Sequence, residues 1–189
     1  MILFNKKIKK PKITIITVTK NSSKTLKRCI KSVAQQKFKK YEHIIIDGNS
    51  SDKTIQIIKN NKKHLRYAES KVDKNLWQAI NKGIKIANGE IIGILNSDDI
   101  LYPNALKTVN KYFKNSSIDF LFGSVRKKRV YHGFSPEKIG YRFNIYPSHS
   151  VGFYVKKKIH KQLGLYNENL EYCSDYDFFY KLIKEKKKW

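Results

Sequence analysis

The sequence is poor in the residues that build disulfide-linked or metal-stapled folds. It holds two cysteines, four prolines and one methionine in 189 residues. Cys29 and Cys173 have no metal-binding spacing, so neither a disulfide framework nor a zinc site is supported. No apolar run approaches the roughly 18–20 residues of a membrane-spanning helix, and residues 1–4 are too short for a signal-peptide core. We therefore expect one globular domain that stays in the cytoplasm.

Acidic residues are also scarce: 15 against 40 lysines and arginines, for a net charge of +25. Two interpretations of this excess stay open, namely attraction to an anionic surface such as the inner face of a membrane and compositional drift. Specific nucleic-acid binding is not expected, because arginines are few and stacking motifs are missing. The lysine clusters fall at residues 6–12, 37–40, 61–63, 126–129, 156–161 and 181–188.

What the chain does contain is a regular alternation of β-branched apolar segments with helical patterns. It predicts an α/β fold with a mostly parallel central sheet flanked by helices. Asp52 is the predicted N-cap of the second helix, and Asn88-Gly89 is the predicted C-cap of the third. Strands are predicted at residues 12–19, 41–46, 65–69, 91–95, 119–125, 130–134 and 150–155; helices are predicted around residues 26–33, 55–58, 76–87, 104–113, 157–163 and 175–183.

Polar side chains follow three of the predicted strands, at residues 18–21, 47–52 and 96–99. The carboxyl ends of parallel strands meet at one sheet edge, where open α/β sheets bind ligands. Asp98 and Asp99 would supply two hard oxygen ligands for Mn²⁺ or Mg²⁺ there. The alternative is an Asx-rich turn before the next helix. The glycine-rich phosphate loops are missing, so a metal would have to bind the phosphates.

Five segments, in this order, resemble the inverting family 2 glycosyltransferases of the GT-A fold. The resemblance spans about residues 12–183 and implies one GT-A domain over residues 1–189. It would divide into a nucleotide-binding half at 11–118 and an acceptor-side half at 119–189. The matching segments are residues 18–21, 47–54, 73–83, 96–99 and the pair 164–168 and 174–178.

The resemblance implies a role for each matching residue. Asp47 would accept a hydrogen bond from uracil N3–H, and Asp175 would be the general base that deprotonates the acceptor. For Asp175 the alternative is a simple cap of the last helix. The remaining residues would bind the nucleotide-sugar or the metal: Val18, Asn21, Asp73, Asn81 and Asp98 the nucleotide-sugar, and Asp98 and Asp99 the metal.

The activity implied is metal-dependent, inverting transfer of one sugar from a UDP-sugar to a saccharide or lipid-linked acceptor in surface glycan synthesis. The Gln-x-x-Arg-Trp motif of processive synthases is missing, which favours single-sugar transfer. Family domains usually continue past the base, so we expect an acceptor-side half that is incomplete at Trp189. A non-catalytic nucleotide-sugar binder and a basic membrane-surface protein remain alternatives. His149 is interpreted either as a residue near the acceptor or as a turn residue.

Departures from the family pattern occur at three positions. Asn75 replaces the usual glycine, Gln78 replaces an acidic residue, and Ser174 stands where many relatives have glutamate.

Overall fold

The computed structural model describes residues 1–6, 10–115, 117–126, 130–131 and 152–189. The strands are β1 (Ile2–Asn5), β2 (Ile13–Thr19), β3 (Tyr41–Asp47), β4 (Tyr67–Ser70), β5 (Ile91–Ile94), β6 (Phe120–Phe122), β7 (Val125–Arg126), β8 (Val130–Tyr131) and β9 (Phe153–Lys156). The helices are α1 (Leu26–Ala34), α2 (Thr54–Asn60), α3 (Leu76–Ile86), α4 (Ala105–Asn115), α5 (Lys157–Leu163) and α6 (Ser174–Lys184).

Among the described residues, seven strands form one sheet in the order β1-β4-β3-β2-β5-β9-β6. The four central strands, β2 to β5, are parallel, as the alternation of strands and helices predicted. Antiparallel pairs flank them, because β1 pairs with β4 on one side and β9 pairs with β5 and β6 on the other. The sheet is therefore mixed, with its parallel part in the middle. A two-stranded ribbon of β7 and β8 lies apart from it.

Helices cover both faces of the sheet, and alternate residues of β2 show how. Ile16 packs on one face with side chains of α3, α5 and α6, whereas Ile15 packs on the other with α1 and α4. Helix α3 approaches β2 very closely, since a Cβ at Gly83 would lie 2.5 Å from Ile16 Cγ2. The result is a three-layered α/β/α arrangement, typical of a parallel sheet buried on both faces.

Four local predictions need correction. The terminal strand β1 was not predicted, because a four-residue segment carries little periodicity. Helix α3 ends at Ala87 with extended geometry (φ −62°, ψ 138°), so the Asn88-Gly89 C-cap is wrong. The Lys53 backbone occupies the N-cap position of α2, although Asp52 Oδ1 accepts from Thr54 N at 2.9 Å.

The fourth correction concerns the strand predicted at residues 119–125, which splits into β6 and β7. Parts of two other predicted strands, 132–134 and 150–151, lie outside the described residues, as does His149. Within the described part of the chain, no helix has the length and apolarity needed to cross a membrane.

Candidate functional site

Asp47 ends β3 and is fully buried. Its Oδ1 accepts from Ser50 Oγ at 2.5 Å, and its Oδ2 accepts from Ser50 N at 2.9 Å and Ser70 Oγ at 2.7 Å. A carboxylate offers about four acceptor positions, so these donors leave about one for a further partner. These three hydrogen bonds fix the orientation of the Asp47 carboxylate, and about one of its acceptor positions receives no donor from them.

Hydrogen bonds join the three loops that follow β2, β3 and β5. Asn21 Oδ1 accepts from Ser51 N at 2.9 Å, and Asn21 N donates to Ser50 Oγ at 2.8 Å. Ser22 Oγ lies 2.8 Å from Ser97 Oγ of the loop after β5. The residues predicted from three separate strand ends therefore lie at one edge. Val18 is buried in β2, beside Ile46 of β3.

Residues 96–99 form a turn closed by a 3.1 Å hydrogen bond from Asp99 N to Asn96 O. Helix α1 supports it, since Arg28 Nη2 donates to the Asp98 carbonyl at 3.1 Å. Asp98 is exposed and Asp99 is half-buried. Burial raises the pKa of Cys29 to about 12; a hydrogen bond with Thr17 opposes the rise, and the charges of Asp99 and Asp98 add to it. Burial therefore favours the protonated thiol.

Asp98 and Asp99 also form part of the wall of a cavity of about 860 Å³. The lining also includes Phe122 of β6 and Arg126 of β7. The exposed Tyr102 contributes an aromatic ring to the same cavity. Carboxylates, an arginine and aromatic rings together suit a polar ligand with apolar faces, such as a sugar.

Asp73 lies in the loop between β4 and α3, with its side chain only 6% exposed. Lys82 forms an ion pair with Asp73 Oδ1, but neither carboxylate oxygen accepts a well-aligned hydrogen bond from the described residues. The contact is therefore an ion pair between a nearly buried carboxylate and a half-buried lysine.

Asn81, predicted to bind the nucleotide-sugar, points instead to the segment before Asp175. Its Nδ2 donates to Tyr166 O at 2.8 Å and to Glu168 Oε1 at 2.9 Å, and its Oδ1 accepts from Tyr166 N at 3.1 Å. The side chain is 2% exposed. Because both donors and an acceptor position are used internally, these contacts favour a structural role over direct nucleotide contact.

Sequence reasoning missed the group of hydrogen bonds by which Asn75, Gln78 and Asn81 hold Glu168. Asn75 Nδ2 donates to Glu168 O at 2.8 Å, and Gln78 Nε2 donates to Glu168 Oε2 at 3.3 Å. The hydrogen bond from Asn81 is the largest cause of a lowered pKa at Glu168. Asn75 and Gln78, two departures from the family pattern, thus both bind Glu168. These two departures, three residues apart, were the sequence feature that could have indicated a common partner.

Asp175 lies in the first turn of α6 and is 7% exposed. Its Oδ1 accepts from Tyr176 N at 2.9 Å. The Tyr166 hydroxyl lies within electrostatic reach, since burial first and the charge of Asp175 second raise the pKa of that phenol. Cys173 occupies the N-cap position of α6, so the alternative in which Asp175 caps this helix is wrong. Asp175 is a buried carboxylate near Tyr166, and its role as general base stays a prediction.

The donor set of the turn at 96–99 fits a divalent cation shared with a substrate. Asp98 and Asp99 supply hard oxygens, and no group of three or more metal-ligating side chains occurs among the described residues. Mg²⁺ is often bound by one or two carboxylates, with phosphate and water completing its shell. The residues present match that arrangement rather than an all-protein cage.

Together, fold and site define an α/β protein with oxygen-rich loops at the carboxyl edge of parallel strands, the usual place for a nucleotide ligand. The model of glycosyl transferase family 2 matches residues 14–179. The chain therefore belongs to glycosyl transferase family 2.

Curated relatives agree with this membership. The chain is 33% identical over 194 residues to an uncharacterized glycosyltransferase of Methanocaldococcus jannaschii, covering 92% of this chain and 65% of that protein. It is 35% identical over 117 residues to the poly(ribitol-phosphate) beta-N-acetylglucosaminyltransferase TarP of Staphylococcus aureus, covering 59% of this chain and 36% of TarP. The chain thus spans less than two thirds of the length of these relatives.

Solved structures identify the GT-A fold. TarS 1-349 of S. aureus in complex with UDP-GlcNAc aligns with a TM-score of 0.75 at 22% identity, over 90% of this chain and 52% of that one. The mannosyltransferase PcManGT of Pyrobaculum calidifontis, in complex with GDP-Man and Mn²⁺, aligns with a TM-score of 0.70 at 16% identity, over 89% and 51%. At these identities the likeness identifies the fold alone.

Proposed function

We propose that this chain carries out metal-dependent, inverting transfer of a single sugar from a UDP-sugar to a saccharide or lipid-linked acceptor in surface glycan synthesis. Residues 11–118 bind the nucleotide-sugar, and residues 119–189 contribute to the acceptor side. The reaction takes place in the cytoplasm, at the inner face of the membrane. The observation that carries the proposal is the junction of the loops after β2, β3 and β5 through Asn21, Ser50 and the Ser22–Ser97 contact.

Two carboxylates, Asp47 and Asp73, bind the nucleotide-sugar donor. Asp47 has about one acceptor position left after its three hydrogen bonds, and it takes uracil N3–H. The base lies against the backbone of Val18, while Asn21 fixes the loop around it. The carboxylate of Asp73, paired with Lys82, binds sugar or ribose hydroxyls. Two relatives support a nucleotide-sugar donor, since their structures contain UDP-GlcNAc and GDP-Man.

Asp98 and Asp99 would hold Mn²⁺ or Mg²⁺ against the diphosphate, with Asp98 also facing the ribose. The ion, when bound, neutralises the charge that develops on the leaving diphosphate. Asp175 takes the proton from the attacking acceptor hydroxyl. One base and one displacement invert the anomeric configuration. The acceptor enters through the cavity that Asp99, Phe122 and Arg126 line together.

Calorimetric titration with UDP, CDP and GDP, each with Mn²⁺ and with EDTA, tests the donor site. UDP should bind most tightly and only with Mn²⁺. Asp99→Asn removes one negatively charged metal ligand while the side chain keeps nearly the same size. Mn²⁺ should then no longer increase the affinity for UDP. Glu90→Gln removes the same charge at an exposed pair with Lys12 and should bind like the parent. Full UDP affinity in EDTA, or in Asp99→Asn, would refute the metal assignment.

The base assignment needs its own measurement. Asp47→Ala should weaken UDP binding while leaving the affinity for Mn²⁺ alone unchanged. Equal affinity of the parent protein for UDP and CDP would refute Asp47 as the reader of uracil. UDP binding without any turnover of UDP-sugars, with or without acceptor saccharides, would favour the non-catalytic binder instead.

A further inference from the structure

A second cavity lies at the sheet edge opposite the candidate site, at the amino ends of the parallel strands. It has a volume of about 970 Å³ and we call it the lysine cleft. Lys12, just before β2, and Lys40, just before β3, line it together with Lys114 at the end of α4. The run 156–158 and Lys161, from the end of β9 and from α5, complete the basic wall. Sequence segments far apart in the chain thus bring seven lysines to one cleft.

The positive charge of the lysine cleft is only partly neutralised. Lys12 pairs with Glu90 at 2.6 Å, and Lys156 and Lys158 share Asp119 at 3.5 Å each. Three exposed lysines, Lys40, Lys114 and Lys161, have no ion pair among the described residues.

The pKa of Lys157 shows that positive charges lie close together in the lysine cleft. Its ammonium donates to the Ala87 carbonyl, and burial first and Lys161 second lower its pKa.

Part of the cleft lining is apolar. Phe38, Ile91 and Phe113 contribute to it, and both phenylalanines are half-buried. Lysines beside apolar side chains match an amphiphilic anion better than a bare phosphate. The half-buried rings are poorly placed to stack on bases, and the cleft wall contains lysine and no arginine, which disfavours nucleic acid.

We propose that the lysine cleft is a docking surface for anionic phospholipid headgroups of a membrane. Basic residues near such a surface each contribute favourable energy, and the long flexible stems of lysine let the ammonium groups reach headgroups at different heights. The surface is independent of the proposed transferase chemistry. Strand β2 runs from one edge to the other over seven residues, so the docked edge and the candidate site are about 20 Å apart.

Vesicle co-sedimentation tests the proposal with the whole chain. Binding to vesicles with about 30 mol% phosphatidylglycerol should be strong at low salt and weak at high salt, and vesicles of phosphatidylcholine alone should bind little. The variant Lys40→Gln/Lys114→Gln/Lys161→Gln should lose on the order of 100-fold in affinity. The matched control Lys24→Gln/Lys27→Gln/Lys53→Gln removes the same charge elsewhere and should lose only a few-fold.

Four outcomes would overturn the proposal. They are equal losses in the two triple variants, equal binding to vesicles without anionic lipid, displacement by a single-stranded oligonucleotide at equal phosphate concentration, and displacement by soluble glycerol phosphate. The last two would identify nucleic acid or a small phosphate ligand as the occupant. Thermal unfolding checks that the variants fold. If a triple variant were unstable, the single changes Lys114→Glu and Lys53→Glu would make the same comparison.

Discussion

At the scale of single residues, the proposed role of Asp175 separates binding from chemistry. A general base acts on the acceptor, so Asp175→Asn should leave the donor dissociation constant nearly unchanged while turnover falls by about 10²–10⁴-fold. Asparagine keeps the size of the side chain, and the Tyr176 N–H can still donate to its side-chain oxygen. Undiminished transfer by this variant would therefore leave Asp175 with a structural role alone. The same assay on Asp177→Asn, which loses a half-buried pair with Lys181, provides the charge-matched control.

His160 makes the stability of the protein depend on pH. The ring is 4% exposed and stacks on Phe178 at 4.5 Å. Burial lowers its pKa to about 4. Between this value and the ordinary pKa of about 6.5, the unfolded chain binds a proton that the folded protein does not bind. The free energy of unfolding therefore falls as the pH falls from 6.5 towards 4, by about 2 kcal/mol at pH 5 for this group.

His160→Phe keeps a stacked ring and removes the titrating group. Between pH 7 and pH 5, urea unfolding should show a loss of stability about 2 kcal/mol smaller than in the parent. The exposed His64 provides the control, and His64→Gln should change the pH dependence much less. An unchanged slope in His160→Phe would mean that the folded protein protonates this ring at its ordinary pKa.

At the scale of elements, the junction between α3 and residues 166–168 positions the segment that leads to Asp175. Asn81→Asp keeps the size but turns a donor into a carboxylate facing Glu168 and the Tyr166 carbonyl. Unpaired buried groups cost about 1–3 kcal/mol, and more when charged, so urea unfolding should show a loss of at least this size. Adding Glu168→Gln restores a donor opposite the introduced carboxylate, and the double variant should be more stable than Asn81→Asp alone. Additive effects would contradict a direct Asn81–Glu168 contact.

The elements themselves were largely predictable, and the exceptions have physical causes. Buried strands such as β2 and β3 are rich in β-branched residues, and helices such as α1 repeat their buried residues every three or four positions. The edge strand β1 gives no such signal. Gly89 was interpreted as a cap, but it is needed for space, since a Cβ there would lie 2.6 Å from Thr14 N. Contacts between distant segments of this kind leave no local pattern.

In the candidate site, too, local features were predictable from the sequence and contacts between distant segments were not. The positions of Asp47, Asp98 and Asp99 at strand ends were predictable, because strand ends and carboxylates can be read in sequence order. The contacts of Asn81 were not, because its partners lie 85 residues or more further along the chain. The resemblance to the family identified Asn81 as part of a shared motif, but its hydrogen-bond partners are Tyr166 and Glu168. A shared motif thus indicates which residue matters, but it does not indicate which residues that side chain contacts.

At the scale of the whole molecule, charge is distributed unevenly over the two sheet edges. The carboxylates of the candidate site lie at the carboxyl edge, and the lysine cleft lies at the amino edge. A net charge of +25 repels itself in the compact state and destabilises it. Salt shortens the screening length from about 30 Å at 0.01 M to about 8 Å at 0.15 M. Added salt should therefore stabilise this protein.

The melting temperature should rise by about 2–4 °C for each 1 kcal/mol of repulsion that is screened. Calorimetry from 0.01 to 0.15 M NaCl measures this, and sucrose at equal osmolarity controls for effects other than screening. Lys24→Glu/Lys27→Glu/Lys53→Glu reduces the excess charge away from the lysine cleft, so it should melt higher than the parent at low salt and show a weaker salt dependence. A melting temperature that stays constant or falls with NaCl would mean that local ion pairs, such as the buried Glu42–Arg66 pair at 2.8 Å, outweigh the overall repulsion.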